Sequence, residues 1–348
     1  MGTIGRRRAL RPGAVPAAVC ALALAAVSAC GTGSAQHTDS FPAPKAARAP
    51  QPPPSVTPKP VAASPYLYPW GDPPEPAEVM RSTGIGSFAM AFLISDGTCN
   101  PAWGGERPLD GPQQDTIRAI RDAGGDVMPS IGGHGGPKLG LVCPNARALA
   151  GAYQKVIDAY ELEAVEIDVE AAEFESQAAQ DRILKALNIV QRDNPELRTV
   201  VTFPTAKDGP NWWGERLVRR GAELEAGVDV WTVLPFNFGG TDMVRDTVNA
   251  TEALHETVRG AFGYGAAEAY AHIGITSMNG RTNSDETVAV ADFHEIADYA
   301  KSKGLGRLSF WAVNRDRPCP DGGAASSSCS GIDQRPWEFT GLVADFGG

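Results

Sequence analysis

The sequence has few of the residues that build metal and nucleotide sites. Its five histidines show no metal-ligand spacing, its cysteines form no C-x2-C pair, and it contains neither a P-loop nor a Gly-x-Ser-x-Gly elbow. After residue 30 it also lacks an apolar run long enough to cross a membrane. These absences count against zinc, NTPase and serine-hydrolase chemistry, so we expect no metal and no cofactor.

Positive charge is also scarce. The chain of 348 residues has a net charge of −10, and its first 29 residues contain four arginines and no acid, so the remainder stands at −14. A body this acidic is repelled by phosphate backbones, so nucleic acid is not expected as a partner. Hydrophobic residues make up 43% and charged residues 21%, which is ordinary globular usage and excludes wholesale disorder.

The N-terminus has the composition of an export signal. A basic head at residues 6–11 precedes an apolar stretch at 14–27, which is too short for a comfortable membrane span. The following Ser28-Ala29-Cys30 resembles the lipobox of bacterial lipoproteins, which implies a signal peptide at 1–29 and a lipid on Cys30. We then expect an extracellular protein, anchored to the outer face of the bacterial membrane only through its lipid. An ordinary secretory signal is the alternative.

Residues 30–64 are predicted to be a Pro/Ala-rich disordered linker, because large apolar side chains are almost absent and the prolines favour extended polyproline II.

Four cysteines lie beyond this linker: Cys99, Cys143, Cys319 and Cys329. An even number in an exported protein predicts two disulfides. Three connectivities are possible, of which Cys99–Cys143 with Cys319–Cys329 is the least demanding.

Residues 65–348 alternate short apolar runs with segments of helical period. The eight apolar runs are 65–68, 87–94, 126–131, 164–170, 198–203, 228–238, 271–277 and 308–313. Eight strands interleaved with helices predict the α/β class and a single (β/α)8 barrel, which we expect to be a monomer. A doubly wound sheet is the alternative, but no Gly-x-Gly-x-x-Gly turn follows the first strand.

The fourth run carries the candidate chemistry. Its β-branched side chains share one face and its carboxyls share the other: Val165, Ile167 and Val169 against Glu166, Asp168 and Glu170. In a barrel the second face is the interior, so the carboxyls stand in file about 7 Å apart with Glu170 at the mouth. Burial and mutual repulsion then favour shared protons and at least one raised pKa. A carboxyl that stays protonated near neutral pH is what a general acid needs.

Four motifs in this region resemble those of family 18 glycoside hydrolases, the chitinases and endo-β-N-acetylglucosaminidases. The segment Glu163-x-x-Glu166-x-Asp168-x-Glu170 is similar to their D-x-x-D-x-D-x-E signature, and Ser130-Ile131-Gly132-Gly133 matches their S-x-G-G motif. Trp311 matches the tryptophan that ends their last strand, and 234–239 stands where they often have Met-x-Met-Asp-Tyr-Gly or Met-x-Tyr-Asp. The motifs follow the family's order on strands three, four, six and eight.

The resemblance implies a retaining mechanism in which the substrate's own 2-acetamido group replaces a protein nucleophile. Glu170 would protonate the leaving oxygen and later activate water, Asp168 would orient the acetamido group, and Glu166 would share a proton with Asp168. The implied substrate is chitin or another oligosaccharide that contains N-acetylglucosamine. N-glycan cores, cell-wall glycans and endo or exo action stay open.

The resemblance also implies contacts around the sugar. Ser130 would hydrogen-bond the buried carboxyl pair, Gly132 and Gly133 would leave room for the sugar, and Trp311 would lie beneath it. The other expected substrate-binding residues are Tyr66, Phe236, Asn237, Phe238 and Met278. In two places the chain departs from the family: Glu166 replaces an aspartate, and the phenylalanines of 236–238 replace a tyrosine. A weak or inactive barrel that binds glycans as a lectin is therefore the alternative.

Overall fold

The computed structural model describes residues 59–347. The predicted signal peptide, Cys30 and the predicted linker as far as residue 58 lie outside this range. Within it, no helix is both long enough and apolar enough to cross a membrane. The same residues contain no group of three or more His, Cys, Asp or Glu side chains that could hold a metal ion.

Eight parallel strands form a nearly closed barrel and follow one another in chain order, which confirms the predicted (β/α)8 fold. These are β1 (Tyr66–Leu67), β2 (Ser87–Ser95), β4 (Asp126–Gly132), β5 (Ala164–Asp168), β6 (Arg198–Pro204), β7 (Val230–Leu234), β8 (Ile273–Met278) and β11 (Arg307–Trp311). The additional strand β3 (Pro101–Trp103) pairs antiparallel with β2, and β9 (Gly280–Arg281) and β10 (Thr287–Val288) form a hairpin after β8.

Helices cover the outside of the barrel. They are α1 (Lys59–Ala62), α2 (Pro76–Thr83), α3 (Pro112–Asp122), α4 (Leu139–Val142), α5 (Ala146–Tyr160), α6 (Ala171–Phe174), α7 (Gln177–Asp193), α8 (Trp212–Glu223), α9 (Met243–Phe262), α10 (Ala266–Ala271), α11 (Val290–Lys303) and α12 (Glu338–Gly347). Polar side chains cap several N-termini; Asn145, for example, accepts the Ala148 N–H at the start of α5. The outward face of β5, with Val165 and Ile167, packs into the core that these helices bury.

The barrel begins earlier than predicted. Helix α1 contacts β2, β4, β6 and β11, and Val61 is fully buried. Arg307 donates to the Val61 and Ser64 carbonyl oxygens at 2.9 and 3.1 Å. The predicted linker therefore ends before residue 64, because Val61, Ala63 and Ser64 are buried and the Val61 and Ser64 carbonyl oxygens have a buried partner.

Two of the predicted strands end earlier than expected. Strand β5 ends at Asp168, and Glu170 is the extended N-cap residue of α6, with φ −127°. Strand β7 ends at Leu234, so residues 236–238 lie in the following turn.

The disulfides Cys99–Cys143 and Cys319–Cys329 are both present, which confirms the least demanding connectivity.

Candidate active site

A cavity of about 340 Å³ opens at the carboxyl ends of the barrel strands, where barrel enzymes place their chemistry. Its lining includes seven residues predicted for the site: Tyr66, Asp168, Glu170, Phe236, Asn237, Met278 and Trp311. Sequence reasoning missed or set aside the other six: Phe92, His134, Leu234, Thr276, Asn283 and Ser284. The cavity therefore combines two carboxyls with a largely aromatic wall.

The carboxyls of the fourth barrel strand are graded in depth. Glu166 is fully buried, Asp168 is 2% exposed, and the side chain of Glu170 is 15% exposed. Burial raises the pKa of Asp168 well above its ordinary value, and the charges of Glu170 and Glu166 raise it further. Burial also raises the pKa of Glu170, although His134 and Lys138 pull it down. Glu170 is thus a carboxyl at the cavity wall whose environment favours the protonated form.

The deepest carboxyl has a different partner from the one predicted. Glu166 accepts a hydrogen bond from the Thr202 hydroxyl and lies 3.7 Å from the guanidinium of Arg307, which is itself fully buried. No hydrogen bond joins Glu166 to Asp168 in the described structure, and the Ser130 hydroxyl bonds to neither. The expected proton sharing and the expected role of Ser130 are therefore absent from this geometry, because the longer Glu166 side chain reaches Thr202 and Arg307.

Two glycines of the S-x-G-G motif serve backbone packing and do not line the cavity. Gly132 has φ +123°, and a Cβ there would lie 2.1 Å from the Asp168 carbonyl oxygen. A Cβ on Gly133, with φ +80°, would lie 2.6 Å from the ring of Phe92. The room predicted for a sugar is instead used by the backbone of β5 and by an aromatic ring, so side chains at these positions would displace Asp168 or Phe92.

Aromatic rings surround Asp168. The Tyr66 hydroxyl donates to Asp168 Oδ2 at 3.4 Å, and burial raises the pKa of Tyr66 well above its ordinary value, so it stays a donor. Trp311 is partly exposed in the cavity and stacks nearly parallel to Tyr68 and Phe92, with ring centroids 5.5 and 5.4 Å away. The predicted position of Trp311 at the end of the last strand is confirmed, in a cluster of four rings.

The turn after β7 is held by a buried carboxylate that sequence reasoning did not identify. Glu286 accepts the backbone N–H groups of four consecutive residues, from Asn237 to Gly240, at 2.6 to 3.0 Å. Asn237 Oδ1 accepts the Asn283 N–H at 3.0 Å. Phe236 lines the cavity, whereas Phe238 packs against the core and does not line the cavity.

Glu286→Gln is expected to lower the free energy of unfolding by about 1.5–3 kcal/mol, because an amide offers one oxygen to donors that now share a charged carboxylate. Amide hydrogen exchange at residues 237–240 should accelerate by at least tenfold, which mass spectrometry of peptides would detect. Asp285→Asn, at the exposed neighbouring residue, is the matched control. Unchanged exchange in Glu286→Gln would contradict this role.

A histidine and a lysine lie near Glu170. His134 Nδ1 lies 3.8 Å from Glu170 Oε2, although the His134 side chain is 88% exposed. Lys138 is buried and donates to the carbonyl oxygens of Gly133 and Gly135. Behind it, burial raises the pKa of Glu173 to about 7, although the Gly140 N–H and Lys138 lower it. His134 and Lys138 therefore lower the pKa of Glu170, against the effect of burial.

The curated proteins that the chain resembles in sequence are named as chitinases. No family model matches the chain. It is 28% identical over 266 residues to a probable bifunctional chitinase/lysozyme of Escherichia coli strain K12, and 27% identical over 266 residues to endochitinase 11 of Metarhizium anisopliae. Each match covers 70% of this chain but only 30% and 50%, respectively, of the relative.

Solved structures cover the barrel more completely. The catalytic domain of a chitinase from Pyrococcus furiosus superposes with a TM-score of 0.74 at 25% identity, over 82% of this chain and 97% of that one. The barrel is similar in sequence and in fold to these chitinases. Catalytic-site mutants of the same enzyme, crystallised with chito-oligosaccharides, superpose equally well over 83% and 97% of the two chains. In this chitinase-like barrel, the exposed Trp212 at the start of α8 does not line the cavity.

Proposed function

We propose that this domain hydrolyses β-1,4 bonds next to N-acetylglucosamine in chitin or chito-oligosaccharides, with retention of configuration. One observation carries the proposal: Glu170 lines the same cavity as Asp168, Tyr66 and Trp311. Burial raises the pKa of Glu170, so this carboxyl is suited to act as an acid. The names of the relatives and the chito-oligosaccharides bound by the Pyrococcus furiosus enzyme support the substrate class.

The proposed reaction uses Glu170, Asp168, the substrate's own acetamido group and one water molecule. Glu170 gives its proton to the glycosidic oxygen as the bond to the anomeric carbon breaks, and the acetamido oxygen closes on that carbon to form an oxazolinium ion. Asp168 accepts a hydrogen bond from the acetamido N–H and stabilises the positive charge of the oxazolinium ion. Water then attacks the anomeric carbon, its proton passes to Glu170, and the ring opens to restore the acetamido group.

The product pattern from chitohexaose tests the proposed activity. We expect cleavage at internal bonds, seen by mass spectrometry as dimers, trimers and tetramers early in the reaction. We propose endo action because the segment between β8 and β11 is occupied by one short hairpin and α11, with no long insertion that would deepen the cleft. Binding of chitohexaose without cleavage would favour the lectin-like alternative, which the missing hydroxyl at Phe236 motivates.

The activity is expected to fall on the alkaline side at a pH above the ordinary glutamate value of about 4.3. Glu170 must be protonated to act as the acid, and burial raises its pKa, so activity is present below that raised pKa and is lost as the pH rises through it. The measurement is kcat/KM for a fluorogenic chitobioside against pH. An alkaline limb at or below the ordinary glutamate pKa would contradict the assignment.

We also propose that the protein is exported and held at the outer face of the cell membrane through Cys30, on the strength of the lipobox-like segment. Cys30→Ala is expected to move the protein from the membrane fraction to the medium or the soluble envelope fraction, because the lipid attachment site is removed. Immunoblots of cell fractions measure this. Equal distribution of the wild type and the variant would refute the anchor.

A further inference from the structure

One hydroxyl in the cavity wall has no partner. Thr276 on β8 is fully buried and lines the cavity, and its Oγ1 makes no hydrogen bond to any described residue. A buried hydroxyl without a partner is costly and rare in native proteins. Because Thr276 lines the cavity, a molecule bound there can supply the partner that its hydroxyl lacks.

The surroundings of Thr276 restrict that ligand. Met278 lies two residues along β8 and lines the cavity too, and the paired strand β11 places Trp311 beside Met278. Leu234, also buried, lines the cavity from β7. Phe236, in the position where the resemblance expects a tyrosine, has no hydroxyl to offer.

An acetamido group fits a single hydroxyl among apolar side chains. Its methyl group suits the apolar wall, and its carbonyl oxygen needs one donor when Asp168 accepts its N–H. Ring hydroxyl groups of a sugar have no methyl group and would leave the apolar wall without a matching surface. Asn237 is a less suitable donor, because its side chain is exposed at the rim of the cavity.

We propose that Thr276 is a substrate-contacting residue that donates a hydrogen bond to the 2-acetamido carbonyl oxygen and supplies the hydroxyl that Phe236 lacks. The inference rests on the proposed function. It makes Thr276 a determinant of the preference for N-acetylglucosamine over glucosamine, because a site built around a hydrogen bond discriminates against ligands that cannot make it.

The matched test compares Thr276→Val with Thr232→Val. Thr232 is also fully buried in the barrel with an unpartnered hydroxyl, but it does not line the cavity. Thr276→Val should lower kcat/KM on a fluorogenic chitobioside by about tenfold or more, whereas Thr276→Ser and Thr232→Val should stay within about threefold of the wild type. Thr276→Ala is the second variant if the valine variant does not fold, with the same loss expected.

Calorimetric binding of chitotriose and of its fully deacetylated counterpart separates the possible failures. Thr276→Val should weaken binding of the acetylated trisaccharide by about threefold or more and leave that of the deacetylated one unchanged. If the wild type cleaves or binds acetylated sugars and Thr276→Val does so equally well, or if Thr232→Val loses as much, this inference fails alone. If the wild type neither cleaves nor binds them, both this inference and the proposed function are overturned.

Discussion

Glu170→Gln is expected to lower kcat on chito-oligosaccharides by about 10²–10⁴-fold, the usual contribution of a general acid–base group. The amide keeps the size of the side chain but cannot give up a proton to the leaving oxygen or take one from water. Because the wall of the cavity is preserved, KM should change much less than kcat. Steady-state kinetics with a fluorogenic chitobioside measures both parameters.

Glu175→Gln is the control for this experiment, since Glu175 is an exposed glutamate five residues further along the chain. It should keep wild-type kinetics. The Glu170→Gln protein should also be folded, because neutralising a carboxyl whose raised pKa already favours its protonated form removes no stabilising charge. A Glu170→Gln variant as active as the control would remove Glu170 from the mechanism.

Arg307→Met is expected to lower the free energy of unfolding by about 3–5 kcal/mol, the usual cost of removing one partner of a buried ion pair. Arg307 and Glu166 are both fully buried, with their charged groups 3.7 Å apart. Arg307 also donates to the carbonyl oxygens of Val61 and Ser64, so its loss removes these two hydrogen bonds as well. Urea denaturation measures the change.

The double variant Arg307→Met/Glu166→Gln should recover part of that loss, because it removes the charge that the single variant leaves buried. Arg118→Met is the matched control: the Arg118 side chain is 66% exposed and pairs with an exposed aspartate, so its loss should cost less than about 1 kcal/mol. A loss in Arg307→Met no larger than in the control would show that the buried pair does not stabilise the barrel.

The barrel and the row of inward carboxyl side chains on β5 could be predicted, because both depend on local periodicity. Alternation along β5 places Glu166 and Asp168 inside and Val165 and Ile167 outside, and burial of all four agrees with it. The same alternation along β11, applied from Trp311 backwards, would have placed Arg307 inside the barrel and found the cation opposite Glu166. That signal was present in the sequence and was missed.

Other parts of the site could not be read from local pattern. Glu286 lies in the loop between the β9 and β10 strands, and its four backbone partners are more than 40 residues away. The role of Gly133 depends on the ring of Phe92, which comes from another strand. The partner of Glu166 was predicted wrongly because a motif gives the residue type but not the side-chain geometry, which here follows from one additional methylene group.

The anomer released first from chitohexaose tests the central claim most directly. Proton NMR during the first minutes of cleavage, before mutarotation, should show β-anomeric product in excess, because an acetamido nucleophile followed by water retains the configuration. Initial release of the α-anomer would mean direct attack by water and would contradict the assignment of the acetamido group as nucleophile and of Glu170 as acid and then base.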